Sequence, residues 1–437
     1  MKPSAAAAGC YHDRVKTTSD PGAAGLPADA AARHSQPHDA RGFRRAVLLL
    51  FAGLLSIGMG QSLMFAILPP VARNLGLTEV QVGSIFAVSA LLWVLASPFW
   101  GRLSDIWGRR PLILVGLIGY TVSMASFGLC VQAGLSGWIA LLPAYVLMIV
   151  TRAIFGLFGA ATVPAAQAYV ADRTQPHERA TYIAMQGAAF GLGITLGPGF
   201  VSLLLVFGLI APFYAIAALG LVGVLAVLLG VPEQAPRQRQ PRSGKVMSPL
   251  DARVRPFILV GIALGIGQAT AMQTAGFYAI DVLGMSIEQS ARSVGLALMG
   301  TAGAALFMQL VVIRQLKPTP ATMMRVGSVF GMAGFALLML GESFAVMFVA
   351  MMLLGFGFGL ARPGTIAGAS LAVGSHEQGA VAGLMNTTGA LGTVFAPVVG
   401  MWLYQWLPRA PYVLDLVLLA AGLALLHRHP QTRRLRR

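Results

Sequence analysis

The chain has 437 residues, of which 56% are hydrophobic and only 11% are charged, and its mean hydropathy is +0.73. A soluble globular domain carries about 25% charged residues, so a soluble protein of this composition could not cover its surface with polar groups. The excess of apolar residues must face lipid. The composition therefore excludes a soluble enzyme, a disordered chain and a collagen-like fibre, and it indicates a membrane protein.

Apolar segments, each near the ~20 residues that a helix needs to cross a bilayer, follow one another along the chain. They predict twelve transmembrane helices, at 46–68, 80–100, 111–132, 138–164, 179–203, 209–231, 256–279, 290–313, 322–341, 344–367, 378–404 and 409–427. The first residues are polar and lack an apolar period, which favours disorder, and one long polar segment follows the sixth helix. The predicted domains are a disordered tail (1–43), an N-terminal six-helix bundle (44–231), a linker (232–255), a C-terminal six-helix bundle (256–427) and a basic tail (428–437).

Basic residues are distributed unequally between the two sides of the predicted membrane. With the amino terminus inside, the internal tails, loops and linker hold 26 of the 31 Lys and Arg residues, and the external loops hold three. Two more, Arg152 and Arg362, lie within predicted helices. Basic loops favour the cytoplasmic side, so both termini and the linker are predicted to be cytoplasmic. The net charge of +16 is then explained by the basic residues on the cytoplasmic side of the membrane. Nucleic-acid binding by these residues is a less favoured alternative.

The two halves of the chain resemble each other. A shift of 207 residues aligns Gln61 with Gln268 in the first and seventh helices. A shift of 199 residues aligns the fourth and fifth helices with the tenth and eleventh without a gap, pairing Gly156 with Gly355, Pro164 with Pro363, His177 with His376, Glu178 with Glu377, Gly193 with Gly392 and Pro198 with Pro397. Parallel six-helix repeats build secondary transporters. The sequence therefore predicts an all-α membrane protein of two pseudo-symmetric six-helix bundles.

The segment between the second and third helices, 101–111, combines glycines with charges. Its glycines permit a tight turn, and Asp105 precedes Arg109 by four residues, the helical spacing at which opposite charges meet. The segment resembles the G-x-L-x-D-x-x-G-R-R/K loop of the major facilitator superfamily. The resemblance implies a charge lock that holds the outward-facing state, and the alternative is an ordinary basic turn. The predicted lock consists of Gly101, Asp105, Gly108, Arg109, Arg110 and, on a neighbouring helix, Asp172.

An arginine lies midway along the fourth helix. At the centre of a bilayer it costs about 2.5–3.5 kcal/mol on insertion scales, so Arg152 is expected to face a partner or a wet cavity. With Gly156 and Gly159 it resembles the family's R-x-x-x-G-x-x-G pattern. In proton-coupled members that arginine is tied to proton transfer; the alternative is a structural charge bonded to backbone carbonyls.

The fifth helix contains Gly193, Gly197 and Pro198, which resemble the G-x-x-x-G-P core of the family's antiporter motif. The glycine pair that usually follows this core is absent here. The motif accompanies exchangers rather than symporters, so it favours export. The alternative is a generic face for helix packing, because small residues four apart let helices approach closely.

Many proton-driven members carry an acid in the first helix, and this chain has none there. Asp415, roughly 10 Å into the last helix at 1.5 Å per residue, is the predicted proton carrier, because a carboxyl buried in lipid can take up a proton near neutral pH. A peripheral hydrogen-bonded role is the alternative. Asp281, at the outer end of the seventh helix, is expected to be solvated.

The uncharged polar side chains near mid-membrane suit a substrate that offers both donors and acceptors. Helix packing or interhelical hydrogen bonding is the alternative for each of them. The candidate substrate-binding residues are Gln61, Gln268, Gln273, Asn386 and Phe190.

The resemblance covers residues 44–427 and implies the twelve-span drug:proton antiporter branch, which includes tetracycline and multidrug pumps. It implies a monomeric transporter of the bacterial inner membrane that exports a hydrophobic or amphipathic small molecule by alternating access, in exchange for protons. The alternatives are a symporter or facilitator taking up a metabolite, and a non-transporting sensor or scaffold. The sequence has no nucleotide-binding loop, nucleophile elbow or His/Cys cluster, so no enzyme activity, cofactor or metal is predicted. The predicted partners are a small-molecule substrate, protons and the lipid bilayer.

Overall fold

The structure is a computed structural model that describes residues 40–174, 176–233, 247–374 and 377–428. These residues form helices and connecting turns without a strand, and twelve of the helices are long and apolar enough to cross a membrane. Many large apolar side chains are exposed on the outside of the helices, as a lipid-facing surface requires. The predicted all-α fold with twelve membrane helices is confirmed.

The helices of the first half are α1 (Ala40–Leu75), α2 (Glu79–Trp107), α3 (Arg109–Leu135), α4 (Leu141–Arg173), α5 (Pro176–Leu204) and α6 (Ala211–Gly230). Those of the second half are α7 (Arg255–Asp281), α8 (Ile287–Leu316), α9 (Pro320–Leu340), α10 (Phe344–Leu371), α11 (Gln378–Phe395, continued by Ala396–Gly400 and Met401–Trp406) and α12 (Ala410–Arg428).

Several helices extend beyond their predicted apolar segments. Residues 40–43 are helical, so the prediction of disorder is wrong for these four residues. Hydropathy marks only the apolar part of a helix, whereas the arginines that follow Ala40 are good helix formers and continue it. Most of the predicted tails and linker, at 1–39, 234–246 and 429–437, lies outside the described residues.

The turn between α2 and α3 is shorter than the sequence predicts. Helix α2 continues to Trp107 and α3 begins at Arg109, so Gly108 alone separates them, with a φ of 95° that favours glycine. Gly101 lies inside α2, and a Cβ added there would meet open space. The expectation that Gly101 helps to form the turn is therefore wrong.

Three helices contain π-helical segments that the sequence did not predict: Phe155–Gly159 in α4, Met308–Val312 in α8 and Ala396–Gly400 in α11. A π segment leaves a helical carbonyl without its usual partner. In α4 the indole of Trp100 donates a hydrogen bond to the carbonyl oxygen of Leu157 at 2.5 Å, so a side chain of α2 supplies the missing donor.

The sequence repeat corresponds to a repeat in helix packing. A Cβ added to Gly193 would lie 2.9 Å from the Cα of Gly58, where α5 crosses α1. Its repeat equivalent, Gly392, would place a Cβ 2.7 Å from the Cα of Gly265, where α11 crosses α7. Equivalent glycine pairs thus bring equivalent helices into backbone contact in both halves. The predicted pseudo-symmetry of the two bundles is confirmed.

The two ends of the helices are named here by their connections. The basic face carries the α2–α3 turn at Gly108 and the linker, and the opposite face carries the α1–α2 and α7–α8 turns. The halves touch near the opposite face, where a Cβ added to Gly276 of α7 would lie 2.6 Å from Pro69 of α1. A Cβ on Gly295 of α8 would lie 3.0 Å from the carbonyl oxygen of Pro198 of α5.

Candidate functional site

At the basic face, a buried guanidinium joins three helices of the first half. Arg109, at the start of α3, lies 2.6 Å from Oδ1 of Asp105 in α2 and 2.9 Å from Oδ2 of Asp172 in α4. It also donates a hydrogen bond to the Oγ of Ser104 at 2.8 Å. Only 5% of the Arg109 side chain is exposed. These four residues form the Arg109 cluster, which lies entirely within one half.

Arg110 and Gly101 lie apart from this cluster. Arg110 donates a hydrogen bond to the carbonyl oxygen of Leu228 at 2.5 Å and lies 3.6 Å from Oε2 of Glu233. It therefore ties α3 to the end of α6. Of the six residues predicted to form the lock, Gly108 supplies the helix break, and Arg109 pairs with Asp105 and Asp172. The side chain of Arg110 and the backbone of Gly101 take no part in these contacts.

At the opposite face, an ion pair crosses between the halves. The Nη2 of Arg73, at the end of α1, lies 2.7 Å from Oδ2 of Asp281, at the end of α7. The same guanidinium is paired with Glu79, and the hydroxyl of Tyr404 in α11 donates to Asp281 at 3.1 Å. These four residues form the opposite-face cluster. The expectation that Asp281 is simply solvated is wrong, because it is the carboxylate that joins the second half to the first.

A cavity lies among α7, α10 and α11, and a second lies among α5, α7, α8 and α10. Together with the open space at their mouths they measure about 400 Å³ and 470 Å³, and they share two side chains, Gln268 and Phe358. The second includes Ile194 of α5, so it extends to the first half. They are called here the α7–α11 cavity and the α5–α8 cavity. Their walls are mostly apolar with a few polar groups, which is typical of small-molecule sites.

Arg152 is buried in the first half beside one of the predicted substrate-binding residues. It is 1% exposed, and its Nη2 donates a hydrogen bond to Oε1 of Gln61 at 2.9 Å. Its guanidinium carbon lies 4.6 Å from the ring centroid of Phe155. The other two guanidinium nitrogens, Nε and Nη1, have no hydrogen-bond partner in the described part of the chain. Arg152 thus has a partner in α1 and two free donors.

The second half repeats this amide–guanidinium contact with another arginine. Nη1 of Arg362 in α10 donates to Oε1 of Gln268 at 3.3 Å, and both residues line the α7–α11 cavity. Arg362 had no predicted role. The repeat aligns Arg152 with Met351, and Arg362 lies eleven residues beyond Met351, so the repeat did not predict an arginine at this position. The cost of a charge within a span, which singled out Arg152, could have singled out Arg362 too.

The glycines of the fifth helix pack against α1. A Cβ on Gly197 would overlap the Oγ of Ser62 and lie 2.8 Å from the carbonyl oxygen of Met59. Gly193 faces α1 one turn earlier, and the carbonyl of Pro198 faces α8 of the other half. The motif therefore lies where α5 contacts both a helix of its own half and one of the second half.

The other predicted residues occupy different places. Asp415 is 1% exposed, and its carboxyl group interacts with the side chain of Thr270 in α7. Gln273 is buried in α7 and lines neither cavity, and its Oε1 lacks a described partner. Phe190 is half-buried, and its carbonyl faces Gly58 of α1. The side chain of Asn386 lies outside the described residues.

The described end of the linker is attached to α11 by a second charged group at the basic face. Arg253 lies 2.8 Å from Asp251 and 2.9 Å from Glu377. Hydrogen bonds from Arg253 lower the pKa of Asp251, and those two carboxylates raise the pKa of Arg253. This contact holds the start of α7 to the start of α11.

Comparison with known proteins identifies the family. The model of the Major Facilitator Superfamily matches residues 50–397 and 321–437. Multidrug resistance protein 2 of Bacillus subtilis is 25% identical over 402 residues, covering 86% of this chain and 93% of that protein. The class G tetracycline resistance protein of Vibrio anguillarum is 28% identical over 385 residues, covering 82% and 90%.

A solved structure supports the same fold. The crystal structure of the nucleoside transporter NupG is similar with a TM-score of 0.67 at 14% identity, covering 87% of this chain and 99% of that one. At this identity the similarity concerns the fold alone. Since the family model matches most of the chain, this protein belongs to the major facilitator superfamily of membrane transporters.

Proposed function

We propose that the chain is a secondary active transporter that exports a hydrophobic or amphipathic, drug-like small molecule by alternating access, in exchange for protons. We place it as a monomer in a bacterial inner membrane, with both termini and the basic face in the cytoplasm. The family, and the names of relatives that confer multidrug and tetracycline resistance, support this proposal.

The observation that carries the proposal is the Arg73–Asp281 ion pair, because it joins the two halves at the opposite face. Arg362 lies 18 residues from the start of α10 and nine from its end, and yet part of its surface is accessible from outside the protein. The α7–α11 cavity is therefore open while the Arg73–Asp281 pair closes the opposite face. This is the arrangement expected of one state in an alternating-access cycle, here open toward the basic face.

The Arg109 cluster has a supporting role in this scheme. It joins α2, α3 and α4, which belong to the same half, and it is intact while the cavity opens toward the basic face. We therefore propose that the cluster keeps the ends of these helices together as one rigid body. The moving contact between the halves then lies elsewhere, at the opposite face.

Proton coupling is proposed for Asp415 and Arg152. An ionised carboxylate at the buried Asp415 site would lose its hydration, and the contact with the Thr270 side chain would offset that loss only in part. Arg152 has two guanidinium nitrogens free to bind water or a moving proton carrier. Exchange rather than symport is favoured by the resemblance of Gly193, Gly197 and Pro198 to the antiporter motif.

The test is a growth-inhibition panel of toxic compounds in an efflux-deficient bacterial host that expresses the full chain, followed by accumulation measurements. An exporter lowers the accumulation of at least one compound, and an uncoupler of the proton gradient raises it again. Loss of protection in an Asp105→Asn variant would further separate a transporter from a scaffold on the same fold. A compound panel with no change in accumulation would contradict export.

The second candidate function is uptake of a metabolite by symport or facilitated diffusion. It is favoured by the absence of an acid from the membrane part of α1. In the same experiment the uncoupler has the opposite effect on a symporter: it lowers the accumulation of the symporter's substrate. A facilitator's steady-state accumulation would not respond to the uncoupler.

A further inference from the structure

The α7–α11 cavity carries a positive charge that no carboxylate of the described chain balances. Of the 15 acids, four lie in residues 1–39, outside the described part. Ten of the remaining eleven lie near helix ends, in turns or in the linker, and the eleventh, Asp415, is buried in α12 and lines neither cavity. Arg362, in contrast, lies well inside α10.

The polar groups of this cavity are arranged to donate hydrogen bonds. The Oε1 of Gln268 accepts from Arg362, which leaves the amide N–H groups of Gln268 free to donate. The Thr365 hydroxyl donates to the carbonyl oxygen of Arg362 at 2.7 Å, and the Thr388 hydroxyl donates to that of Met385 at 2.7 Å. The donors that remain for a ligand are those of one guanidinium and one amide.

The helix packing leaves room for the guanidinium. A Cβ added to Gly389 of α11 would lie 2.7 Å from Nη2 of Arg362, so glycine at this position lets the charged group reach into the cavity. The surrounding walls are apolar, formed by Leu264, Phe358, Ile366 and Met385. A ligand that matches the cavity therefore has an apolar body and a charged hydrogen-bond acceptor.

The charge is specific to the second half. The repeat aligns Arg362 with Val163, so the first half has no arginine at the equivalent position. A cation within a membrane protein normally pairs with an acid or faces water. No described carboxylate pairs with Arg362, so an anionic ligand that displaces water from the cavity would supply an acidic partner. Charge-assisted hydrogen bonds from a guanidinium to a carboxylate are also about twice as strong as neutral ones.

We propose that the α7–α11 cavity binds the carboxylate of an amphipathic organic acid, with Arg362 as the charged anchor and Gln268 as a second donor. This inference rests on the transport function proposed above and specifies its substrate class. Arg152, the other arginine within a span, adds to the positive potential of the membrane interior. The same field disfavours organic cations.

The experiment measures binding to purified full-length protein in detergent at low salt by equilibrium dialysis. The probes are benzoate, 2-naphthoate and decanoate, each paired with its neutral primary amide. The variants are Arg362→Gln, Arg362→Lys and, as a matched control for loss of one positive charge, Arg314→Gln at the exposed end of α8. Gly389→Ala, which keeps the charge but displaces the guanidinium, is a second variant in case Arg362→Gln does not fold.

We expect at least one carboxylate to bind the wild type about tenfold more tightly than its amide, since a hydrogen bond to a charged group has that order of effect. Arg362→Gln should abolish this preference, Arg362→Lys should keep part of it, Gly389→Ala should reduce it severalfold, and Arg314→Gln should leave it unchanged. Equal binding of every acid and its amide to the wild type would overturn the proposal, as would an Arg362→Gln protein that keeps the preference.

This binding result is independent of the efflux measurement. If acids bind through Arg362 but no compound is exported from cells, the transport proposal fails while the site assignment stands. If compounds are exported but acids bind no better than amides, the transport proposal stands and the assigned substrate class is wrong.

Discussion

The guanidinium of Arg73 lies 2.7 Å from the carboxylate of Asp281, although 208 residues separate them in the chain. Arg73 lies in the last turn of α1 and Asp281 is the last residue of α7, so the ion pair joins the two halves at one face. Tyr404 donates a further hydrogen bond to the same carboxylate. Opening this face requires these contacts to break.

Replacing Asp281 with Asn should favour the state that is open at the opposite face. The side chains of Arg73 and Asp281 are 28% and 23% exposed, so the pair contributes roughly 1 kcal/mol, or about a fivefold change in population. The readout is labelling of a cysteine at Met272, in the α5–α8 cavity, by a membrane-impermeant thiol reagent from the opposite face. The control is Glu342→Gln, whose exposed partner Arg409 lies in the same half. Equal labelling rates in wild type and Asp281→Asn would contradict the prediction.

Replacing Asp172 with Asn should destabilise the protein and slow transport. The substitution leaves the buried Arg109 with only one of its two carboxylates, and we expect a loss of about 2–3 kcal/mol, because the desolvated charge is then only partly compensated. Thermal unfolding in detergent measures the loss. Glu233→Gln, which removes an exposed partner of Arg110, should change stability by no more than about 0.5 kcal/mol. Identical melting temperatures for the two variants would argue against the Arg109 cluster as a structural joint.

The glycines of α5 provide an internal comparison. Gly197→Ala should push α5 away from α1, because the added methyl group would overlap Ser62 and lie 2.8 Å from a backbone oxygen of Met59. We expect at least a tenfold loss of transport. A Cβ at Gly191, in the same helix, meets no atom within 4 Å, so Gly191→Ala should retain transport. Equal activity of the two variants, at equal amounts of protein in the membrane, would show that close packing at Gly197 is not required.

Asp415→Asn should remove proton coupling while preserving the fold. Asn is nearly isosteric with Asp, and its amide oxygen can keep the contact that the carboxyl makes with the Thr270 side chain. Substrate-driven proton flux in reconstituted vesicles is the readout, with Glu288→Gln at the start of α8 as the control for loss of a carboxylate. If Asp415→Asn keeps wild-type proton flux, the carrier lies elsewhere.

Much of the fold could be predicted because it follows from local composition. Apolar length marks the membrane helices, and the repeat shifts that align Gly193 with Gly392 also predict equivalent contacts in both halves. Helical spacing predicts the Asp105–Arg109 contact, but in the structure this contact crosses the break at Gly108 and joins two helices. In contrast, the π segment that begins at Phe155 depends on a donor from Trp100 of another helix, and no local pattern signals it.

Contacts between distant segments could not be predicted in the same way. Asp281 is expected at the outer end of α7, but its partner depends on how closely the halves approach at that face. Gln273 lies in the same helix as Gln268 but faces a different direction, because five residues correspond to about 140° of rotation in an α-helix. Only Gln268 therefore reaches a cavity.

The two halves are proposed to rock about the cavity, and distances between spin labels at the two faces report that motion. In a background without the two cysteines, Cys10 and Cys130, one pair of labels is placed at Trp138 and Leu340 on the opposite face. A second pair is placed at Trp107 and Leu371 on the basic face, and all four positions are exposed.

The measurement compares wild type with Asp281→Asn in lipid nanodiscs by pulsed electron paramagnetic resonance. We expect reciprocal changes: the Trp138–Leu340 distance lengthens and the Trp107–Leu371 distance shortens when the Arg73–Asp281 pair is lost. Two distances that stay the same, or that change in the same direction, would contradict it.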